Sequence, residues 1–326
     1  MINHKDIFNI KTESDFETLC LDVFKFQFEK NPVYRSFCDL LNVYKTDVKS
    51  IKEIPFLPIQ FFKSHQVICN GFSAEAIFTS SGTTGQAVSK HHVAILELYK
   101  QSFLEGFKAS YGNIEDYTIL ALLPSYLERE GSSLVFMAEE LIAQSNKEKS
   151  GFYLNNLDAL NQVLKEQESN GKKTLLIGVS FALLDLVEKH SFQLKNTIVM
   201  ETGGMKGRRK ELIRTELHHI LKQGFGVNAI HSEYGMTELL SQAYSNGNGI
   251  FRCPNWMRVL TRDTEDALSL THNSKTGGIN VIDLANLYSC SFIATQDLGK
   301  VYPDNSFEIL GRFDTSDIRG CNLMVL

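Results

Sequence analysis

Between residues 117 and 230 the sequence alternates apolar runs with amphipathic segments, and this alternation limits the possible fold more than any other feature. Runs of β-branched and aliphatic residues predict buried strands at 117–123, 174–179, 197–200 and 227–230. Apolar residues at helical spacing predict helices at 132–143, 182–187 and 208–222. In the last helix the predicted apolar face comprises Leu212, Ile213, Leu217, Ile220 and Leu221. This order predicts an α/β fold with largely parallel sheets flanked by helices, and ligands at the carboxyl ends of the strands.

The regions on either side of this alternation have different patterns. Apolar residues at helical spacing, with Pro32 at a helix start, predict a helical N-terminal region over about 1–65. Residues 54–59 hold two prolines among apolar residues, which predicts an extended crossing segment. From about residue 255 to 310, short strands replace helices and predict a smaller β subdomain. We therefore expect one domain over 1–310 and a short tail over 311–326.

Composition narrows the class of protein. The 326 residues include 33 basic and 38 acidic side chains, a net charge of −5, and 43% of them are hydrophobic. A sizeable core can form, whereas the basic residues are not concentrated enough to make nucleic acid the main partner. No apolar run approaches the ~20 residues of a membrane span, and the N-terminus lacks the pattern of a signal peptide. We expect a cytoplasmic enzyme or binding protein.

The cysteines and histidines do not form a recognisable metal motif. The six cysteines are scattered without a Cys-x-x-Cys pair, so they indicate neither a zinc site nor a redox dithiol. Most of them should be reduced thiols that pack as small hydrophobic side chains. The histidine pairs at 91–92 and 218–219 lack the spacing of metal ligands. Cys321 is considered separately below because it lies close to the C-terminus.

A run of small residues after residue 79 is the sharpest local signal. Its members are Ser80, Ser81, Gly82, Thr83, Thr84 and Gly85. Glycines let backbone N–H groups turn toward one point, and hydroxyl groups add further donors, which together favour phosphate binding. It is not a Walker A loop, because no Gly-Lys-Ser/Thr sequence ends it. Composition alone would favour a flexible surface turn.

Two later clusters carry groups that suit a nucleotide. Tyr234, Gly235, Thr237 and Glu238 follow a predicted strand, where a ring can stack on a purine, a hydroxyl can donate to phosphate and a carboxylate can hold Mg²⁺. Asp297 can accept hydrogen bonds from ribose hydroxyls, with Arg312 nearby in sequence as its complement. Taken singly, Glu238 would suit a helix N-terminus, Asp297 a turn and Arg312 the surface.

The order and spacing of the three clusters resemble the adenylate-forming superfamily, which includes acyl-CoA ligases, peptide-synthetase adenylation domains and luciferases. Residues 80–85 are similar to its phosphate loop, 234–238 to its aromatic-Gly-x-Thr-Glu motif, and Asp297 and 311–314 to its ribose and hinge motifs. Within the superfamily, residues 201–208 and 231–239 are most similar to the acyl-protein synthetase family. This family comprises the synthetase components of the bacterial fatty acid reductase complex of bioluminescence and their relatives in non-luminous bacteria.

The resemblance implies the N-terminal-domain fold of adenylate-forming enzymes and an activity. A fatty acid, long-chain in type, or a similar carboxylate would react with ATP in the presence of Mg²⁺ to give an acyl-adenylate and pyrophosphate. Tyr234, Gly235, Gly203 and Gly204 would hold adenine, and Asp297 and Arg312 would hold ribose. Phosphate would meet the donors of 80–85 and Thr237, and Glu238 would hold the metal.

Cys321 occupies the place of the cysteine near the C-terminus that the resemblance implies to be the acyl acceptor. Its thiolate would form a thioester and release AMP, and a partner protein such as an acyl reductase would then receive the acyl group. A cysteine packed as a hydrophobic residue, or an idle exposed thiol, is the simpler interpretation of a lone cysteine.

The sequence also departs from the superfamily pattern. Residues 86–89 separate the phosphate loop from Lys90, which puts the usual phosphate role of a basic residue there in doubt, and Gln296 replaces the usual glycine before the ribose aspartate. The sequence ends at Leu326, so we expect the chain to lack the mobile C-terminal domain and its catalytic lysine. Two alternatives stay open: an acyl- or aryl-CoA ligase whose C-terminal domain is a separate chain, and a non-catalytic nucleotide-binding protein.

Overall fold

Two wide β-sheets and a small hairpin organise the chain. The structure is a computed structural model, and it describes residues 2–81, 87–124, 131–203, 212–271 and 274–313. The α-helices of these residues are α1 (Glu13–Lys30), α2 (Pro32–Leu40), α3 (Phe61–Ser64), α4 (Leu96–Tyr111), α5 (Ser133–Ser145), α6 (Leu157–Ser169), α7 (Ser180–Lys189) and α8 (Arg214–Phe225). The strands are β1 (Leu57–Pro58), β2 (Ala76–Thr79), β3 (Lys90–Val93), β4 (Thr118–Leu122), β5 (Gly151–Phe152), β6 (Thr174–Val179), β7 (Thr197–Thr202), β8 (His231–Tyr234), β9 (Ala243–Ser245), β10 (Ile250–Phe251), β11 (Met257–Arg262), β12 (Gly277–Asp283), β13 (Phe292–Val301) and β14 (Phe307–Arg312).

The first sheet is the predicted α/β unit. Its strand order is β5-β4-β6-β7-β8-β9, with parallel pairing from β5 to β8 and antiparallel pairing of β9. Strands β4 and β6 are buried at every residue, because helices cover both faces of a parallel sheet and allow continuous apolar runs. The carboxyl ends of β7 and β8 lie side by side, which is where the fold predicts a ligand.

The second sheet is antiparallel, an orientation that the sequence analysis left open for the late strands. Its order is β10-β14-β13-β12-β11, all antiparallel, and β1 pairs in parallel with β13. Parallel strands need long crossover connections, whereas β11 to β14 follow one another through short ones that suit antiparallel pairing. The predicted late strands and the extended segment at 54–59 are therefore confirmed, and the late strands pair in an antiparallel arrangement that begins at β10.

The N-terminal helices are tied to this second sheet by polar side chains. Thr12 and Asp15 form a capping box at the start of α1, and Asn31 caps α2, where Pro32 occupies the first turn as predicted. Gln27 Nε2 donates to the Leu287 carbonyl at 2.8 Å, and Asn31 Nδ2 donates to the Ser289 carbonyl at 2.7 Å. These buried amides fix the helical region against the loop that precedes β13.

Two predicted elements lie elsewhere. The strand expected at 227–230 lies at β8 instead, because Gly226 ends α8 in the left-handed region and the pairing register joins Met200 to His231. The sequence of β8 is polar and gave no apolar signal. Its buried side chains are held by hydrogen bonds instead of apolar contacts. Helix α8 begins at Arg214, not at 208, so Ile213 lies outside it and is 72% exposed. Ile220 is also exposed, and only Leu217 and Leu221 of the predicted face are buried.

Other sequence expectations concern the cysteines and the membrane. The five cysteines within the described residues are free thiols, and four of them, Cys20, Cys38, Cys69 and Cys290, are buried as expected. Among the described residues, no helix has both the length and the apolar character needed to cross a membrane.

Candidate active site

A cavity of about 630 Å³ opens at the carboxyl ends of β7 and β8. Its described lining residues come from all three sequence clusters and from several other segments of the chain. From the clusters come Ser80, Ser81, Gly235, Thr237, Glu238, Gln296 and Arg312, together with Gly203. From elsewhere come Lys63, Ser89, Tyr99, Ser133, Met137, Thr202, Glu233 and Gln242, among others. Segments more than 200 residues apart in sequence therefore meet at one site.

The β2–β3 hairpin brings the first cluster to the cavity. Residues 76–79 pair in antiparallel register with 90–93, and the Ser80 hydroxyl accepts a hydrogen bond from Ser89 N at 3.0 Å. Sequence analysis missed this hairpin, because its strands are only four residues long and flank the small-residue run. Gly82, Thr83, Thr84 and Gly85 lie outside the described residues, so their phosphate role stays a prediction.

Buried side chains hold the Thr237–Glu238 turn in place. His91 Nδ1 lies 2.8 Å from the Thr237 carbonyl oxygen, and Asn286 Nδ2 donates to the Glu238 carbonyl at 2.7 Å. Asp283 Oδ2 accepts from the backbone N–H groups of Leu240 and Ser241, at 2.7 and 3.0 Å. Burial lowers the pKa of His91 to about 4, so the ring is neutral at pH 7. Sequence analysis missed this support because its members are far apart in the chain.

The Glu238 carboxylate lies at the cavity with only 6% of the residue exposed. Burial raises its pKa, while a hydrogen bond from Ser89 and the positive charges of Arg312 and Lys63 oppose that rise. Lys63, in the short helix α3, thus adds a cation that sequence analysis did not identify. The site combines the carboxylate of Glu238 with several hydroxyl groups and two cations, which suits a polyanion with a bound divalent cation.

A chain of three side chains links the second and third clusters. The Tyr234 hydroxyl donates to Asp297 Oδ2 at 2.9 Å, and Asp297 Oδ1 lies 3.2 Å from Arg312 Nε. Asp297 lies within β13 rather than in a turn, and Arg312 is its register partner in β14. Burial raises the pKa of Asp297, and Arg312 and Tyr234 partly offset this. Asp297 and Tyr234 are buried just behind the lining residue Arg312.

The Tyr234 ring has packing of its own. It meets Phe307 edge-on at 5.4 Å between centroids and Phe251 at 5.9 Å, and Tyr234 is not one of the described lining residues. Stacking on adenine would therefore require the ring to leave this aromatic cluster. The predicted stacking role stays a prediction, while the contact to Asp297 is a role that the sequence did not reveal.

Two further carboxylates lie beside the cavity on neighbouring strands. Glu201 is buried and accepts from Ser232 Oγ at 2.9 Å, with His218 Nε2 at 3.4 Å and Arg214 Nε at 3.6 Å. Burial opposes its ionisation, but these partners hold its pKa below the usual value. Glu233 lines the cavity, and burial raises its pKa to about 7, against a hydrogen bond from Thr202 Oγ1 at 2.5 Å.

Glycines shape the site at two positions. Gly203 has a φ of 62°, a left-handed conformation that favours glycine, and its carbonyl accepts from Ser180 Oγ at 2.8 Å. A Cβ atom at Gly235 would lie 2.4 Å from Glu233 Oε1, so a larger residue there would displace that carboxylate from its present position. The other predicted residues, Gly204 and Cys321, lie outside the described residues, as does Asp314 of the hinge motif.

The residues present fit the magnesium ion that the resemblance implies. Magnesium commonly binds one or two carboxylates and completes its shell with water and substrate phosphates. Glu238 is a buried carboxylate at the cavity, beside the hydroxyl-bearing residue Thr237. Among the described residues no group of three or more His, Cys, Asp or Glu side chains could hold a metal unaided, so the phosphates would have to contribute.

Comparison with known families decides the classification of the chain. The sequence profile described as "Acyl-protein synthetase, LuxE" matches residues 8–326. The chain belongs to the LuxE acyl-protein synthetase family. The resemblance inferred from residues 80–85, 201–208 and 231–239, from Asp297 and from residues 311–314 is thereby confirmed. No match was found among curated protein sequences.

Solved structures confirm the fold. The ATP-bound MatB of Rhodopseudomonas palustris has a TM-score of 0.55 at 16% identity, covering 75% of this chain and 49% of MatB. A chimera of that MatB with BxBclM, also bound to ATP, has a TM-score of 0.57 at 17% identity. The match covers 75% of this chain and 49% of the chimera. A 2-hydroxyisobutyryl-CoA ligase bound to 2-HIB-AMP and CoA has a TM-score of 0.66 at 12% identity, covering 94% of this chain and 70% of the ligase. The chain thus spans about half the length of the MatB structures and has the expected fold of adenylate-forming ligases.

Proposed function

We propose that this protein activates a carboxylic acid with ATP, forming an acyl-adenylate and releasing pyrophosphate. The observation that carries the proposal is the convergence of Ser80, Glu238 and Arg312 on one cavity, although they come from three distant segments. Membership of the LuxE family and the fold of ATP-bound MatB support the same reaction class. A fatty acid of the long-chain type is the substrate that the family suggests, and a cytoplasmic location stays a prediction of the sequence.

In the proposed reaction the acid's carboxylate oxygen attacks the α-phosphorus of ATP, and the bond to the bridging oxygen of pyrophosphate breaks. Lys63 and the hydroxyl groups of Ser80, Ser81 and Thr237 would hold the phosphates in line and stabilise the spreading charge. Asp297, fixed by Tyr234, would accept hydrogen bonds from the ribose hydroxyl groups, with Arg312 beside it. Glu238 would hold Mg²⁺, which supplies charge neutralisation on the phosphate oxygens. His91, Asn286 and Asp283 keep Thr237 and Glu238 at fixed positions.

Acyl transfer is the second part of the proposal. The acyl-adenylate carbonyl carbon is activated, so the Cys321 thiolate would attack it, form a thioester and expel AMP. The acyl group would then pass to a partner protein, an acyl reductase in the luminous systems. The family, rather than the described residues, supports this step, because Cys321 lies outside them.

The test separates the two steps. Glu238→Gln should reduce acid-dependent ATP–pyrophosphate exchange by about a hundredfold or more, since removal of a charge-stabilising group costs on that order. Cys321→Ser should leave exchange nearly intact and abolish covalent labelling of the chain by radioactive acid. Glu216→Gln, an exposed carboxylate on α8, is the matched control and should change neither readout. Normal exchange by Glu238→Gln, or persistent labelling of Cys321→Ser, would contradict the corresponding assignment.

A CoA ligase is the second candidate. The observation that favours it is the high coverage of the 2-hydroxyisobutyryl-CoA ligase, whose structure contains CoA beside the adenylate. In that case a C-terminal domain supplied by another chain would complete the thiol site. Formation of acyl-CoA by the Cys321→Ser variant, given CoA and such a partner, would distinguish this activity from acyl transfer to the enzyme.

A further inference from the structure

Strand β13 is irregular in the segment that carries the third sequence cluster. The register between β12 and β13 shifts there, so that the single residue Ile279 of β12 faces residues 295–297 of β13. Such a bulge bends its strand and changes the direction in which side chains point, and bulges are frequent next to active sites. In this bulge Gln296 lines the cavity, and Asp297 is the residue proposed to bind ribose.

The guanidinium group of Arg262, in β11, joins the two strands at the bulge. Arg262 Nη1 donates to the Ile279 carbonyl at 2.7 Å, and Nη2 donates to the Thr295 carbonyl at 2.6 Å. Nη1 also donates to Asn280 Oδ1 at 2.8 Å. One planar group therefore bonds a backbone carbonyl from each side of the bulge.

These contacts continue to Asp297 through Thr295. The Thr295 hydroxyl donates to the Ile279 carbonyl at 2.9 Å and accepts from Asp297 N at 3.1 Å. Thr295 and Arg262 are both buried, so water does not compete for these hydrogen bonds. The position of the Asp297 backbone thus depends on a network in which Arg262 supplies the central donors.

The charge of Arg262 also acts on Asp297. Arg262 is 8% exposed, and its hydrogen bonds within the described part of the chain go to neutral oxygen atoms. Burial lowers the pKa of Arg262, and the Asp297 carboxylate opposes this. Burial raises the pKa of Asp297, and the positive charges of Arg312 and Arg262 oppose that rise. An ionised carboxylate is the form that accepts hydrogen bonds from both hydroxyl groups of a ribose.

Two neighbours of the guanidinium connect it to the shape of the site. A Cβ atom at Gly278 would lie 2.7 Å from Arg262 Cζ, so a larger residue there would displace the guanidinium. Arg262 Cζ lies 5.5 Å from the centroid of the Phe313 ring, and Phe313 lines the cavity. Phe313 N in turn donates to the Gln296 carbonyl at 2.7 Å. The guanidinium therefore contacts both the bulge and the residue that follows β14 in the cavity wall.

We propose that Arg262 is a positioning residue of the nucleotide site, which holds the bulge of β13 in the shape that directs Asp297 to the ribose hydroxyl groups of ATP. This inference rests on the proposed function, in which Asp297 binds ribose. Arg262 is not one of the described lining residues of the cavity, so it acts through Thr295 and Asp297. Loss of Arg262 should therefore weaken the recognition of ribose and leave the binding of the acid unchanged.

The test compares ATP with 2′-deoxyATP and 3′-deoxyATP in pyrophosphate exchange by the full-length protein, with the most active of a panel of alkanoic acids. We expect the natural protein to prefer ATP over at least one deoxynucleotide by about tenfold or more in kcat/KM, because the missing hydroxyl donates to a charged acceptor. In Arg262→Met this preference should fall to about threefold or less, with the KM for the acid unchanged.

Gly278→Ala provides a second route to the same result. It keeps the charge of Arg262 and displaces the guanidinium, so the preference for ATP should fall in the same way. Because it adds only a methyl group, it decides the question even where Arg262→Met fails to fold. Arg258→Gln is the control on the same strand, since Arg258 Nη2 donates to Glu13 Oε2 at 2.7 Å at the start of α1. This control should keep the natural preference for ATP.

The outcomes separate this inference from the proposed function. Full retention of the preference by Gly278→Ala, or by folded Arg262→Met, would overturn the inference. A natural protein that uses all three nucleotides equally well would also overturn it and leave acid activation standing. An equal rise in the KM values for ATP and the acid would mean general damage to the site and would contradict a positioning role. Absence of exchange with every acid would overturn both the inference and the proposed function.

Discussion

Glu201 and Glu233 lie on adjacent parallel strands, yet their surroundings give them opposite electrostatic properties. Glu201 pairs in register with Ser232, and Thr202 pairs with Glu233. Burial and partners together leave the pKa of Glu201 below its usual value, because His218, Arg214 and Ser232 compensate its charge. Burial raises the pKa of Glu233 to about 7, because Thr202 is its single hydrogen-bond partner among the described residues. The comparison distinguishes a carboxylate that belongs to the fold from one that is available to a ligand.

The largest expected effect on stability follows from removing the charge of Glu201. Glu201→Gln should lower the free energy of unfolding by about 3–5 kcal/mol, because it leaves Arg214 and His218 without their buried partner. Urea unfolding at pH 7 measures this loss. The exposed Glu216→Gln should change stability by no more than about 0.5 kcal/mol. Equal effects of the two substitutions would remove the distinction between a structural and an available carboxylate.

Replacement of Glu233, whose charge has no compensating partner, should stabilise the fold at neutral pH instead of destabilising it. The folded protein holds a proton on Glu233 up to about pH 7, whereas the unfolded chain releases it near the ordinary glutamate pKa of 4.5. The folded state therefore binds more protons between these values, and this carboxylate destabilises the fold as pH rises through that window. Glu233→Gln cannot titrate, so its stability relative to the natural protein should increase by up to about 3 kcal/mol between pH 4.5 and pH 8.

Urea unfolding of both proteins at pH 5, 6, 7 and 8 measures the Glu233 effect. Glu216→Gln, run in parallel, should give a constant difference from the natural protein across this range. A constant difference for Glu233→Gln as well would mean that the carboxylate ionises as an ordinary surface group does. A growing advantage of the variant would sharpen the contrast with Glu201, whose replacement should never stabilise the fold.

The smallest effect on stability is expected at a third carboxylate. Asp297 pairs with Arg312, but the exposed guanidinium contributes no more than about 1 kcal/mol to folding. Arg312→Gln should therefore leave the unfolding curve nearly unchanged and raise the KM for ATP severalfold. Lys300→Gln, which removes the neighbouring pair with Glu308 on the same two strands, is the control and should not alter the KM. An unchanged KM in Arg312→Gln would argue against its contact with the nucleotide.

The sequence predicted the first sheet well because its strands β4 and β6 are continuous apolar runs, a pattern that buried parallel strands require. It misplaced β8 because the side chains of Ser232 and Glu233 are polar and their burial depends on partners from other strands. The clustering of Ser80, Thr237, Glu238, Gln296 and Arg312 at the cavity was expected from motif order. The buried side chains that hold these residues in place were not expected from the sequence.

What the sequence could not reveal depends on contacts between distant residues. His91 reaches Thr237 across 146 positions, and Lys63 lies in a helix of four residues without a motif. Gln242 has no local signal, since it reaches the cavity only once β9 is in place. Glu233 did offer one signal: an acidic residue directly before the motif aromatic Tyr234, on a strand that ends at the predicted ligand site.

The pairing of β1 with β13 has a consequence for biosynthesis. Leu57 meets Ile293, so the second sheet cannot close until most of the polypeptide has left the ribosome. At roughly 5–20 residues per second, the intervening chain takes on the order of ten to fifty seconds to emerge. During that interval α1 carries Phe16, Phe24 and Phe28 without the strands that later cover them. We expect the nascent N-terminal helices to depend on chaperones until translation is nearly complete.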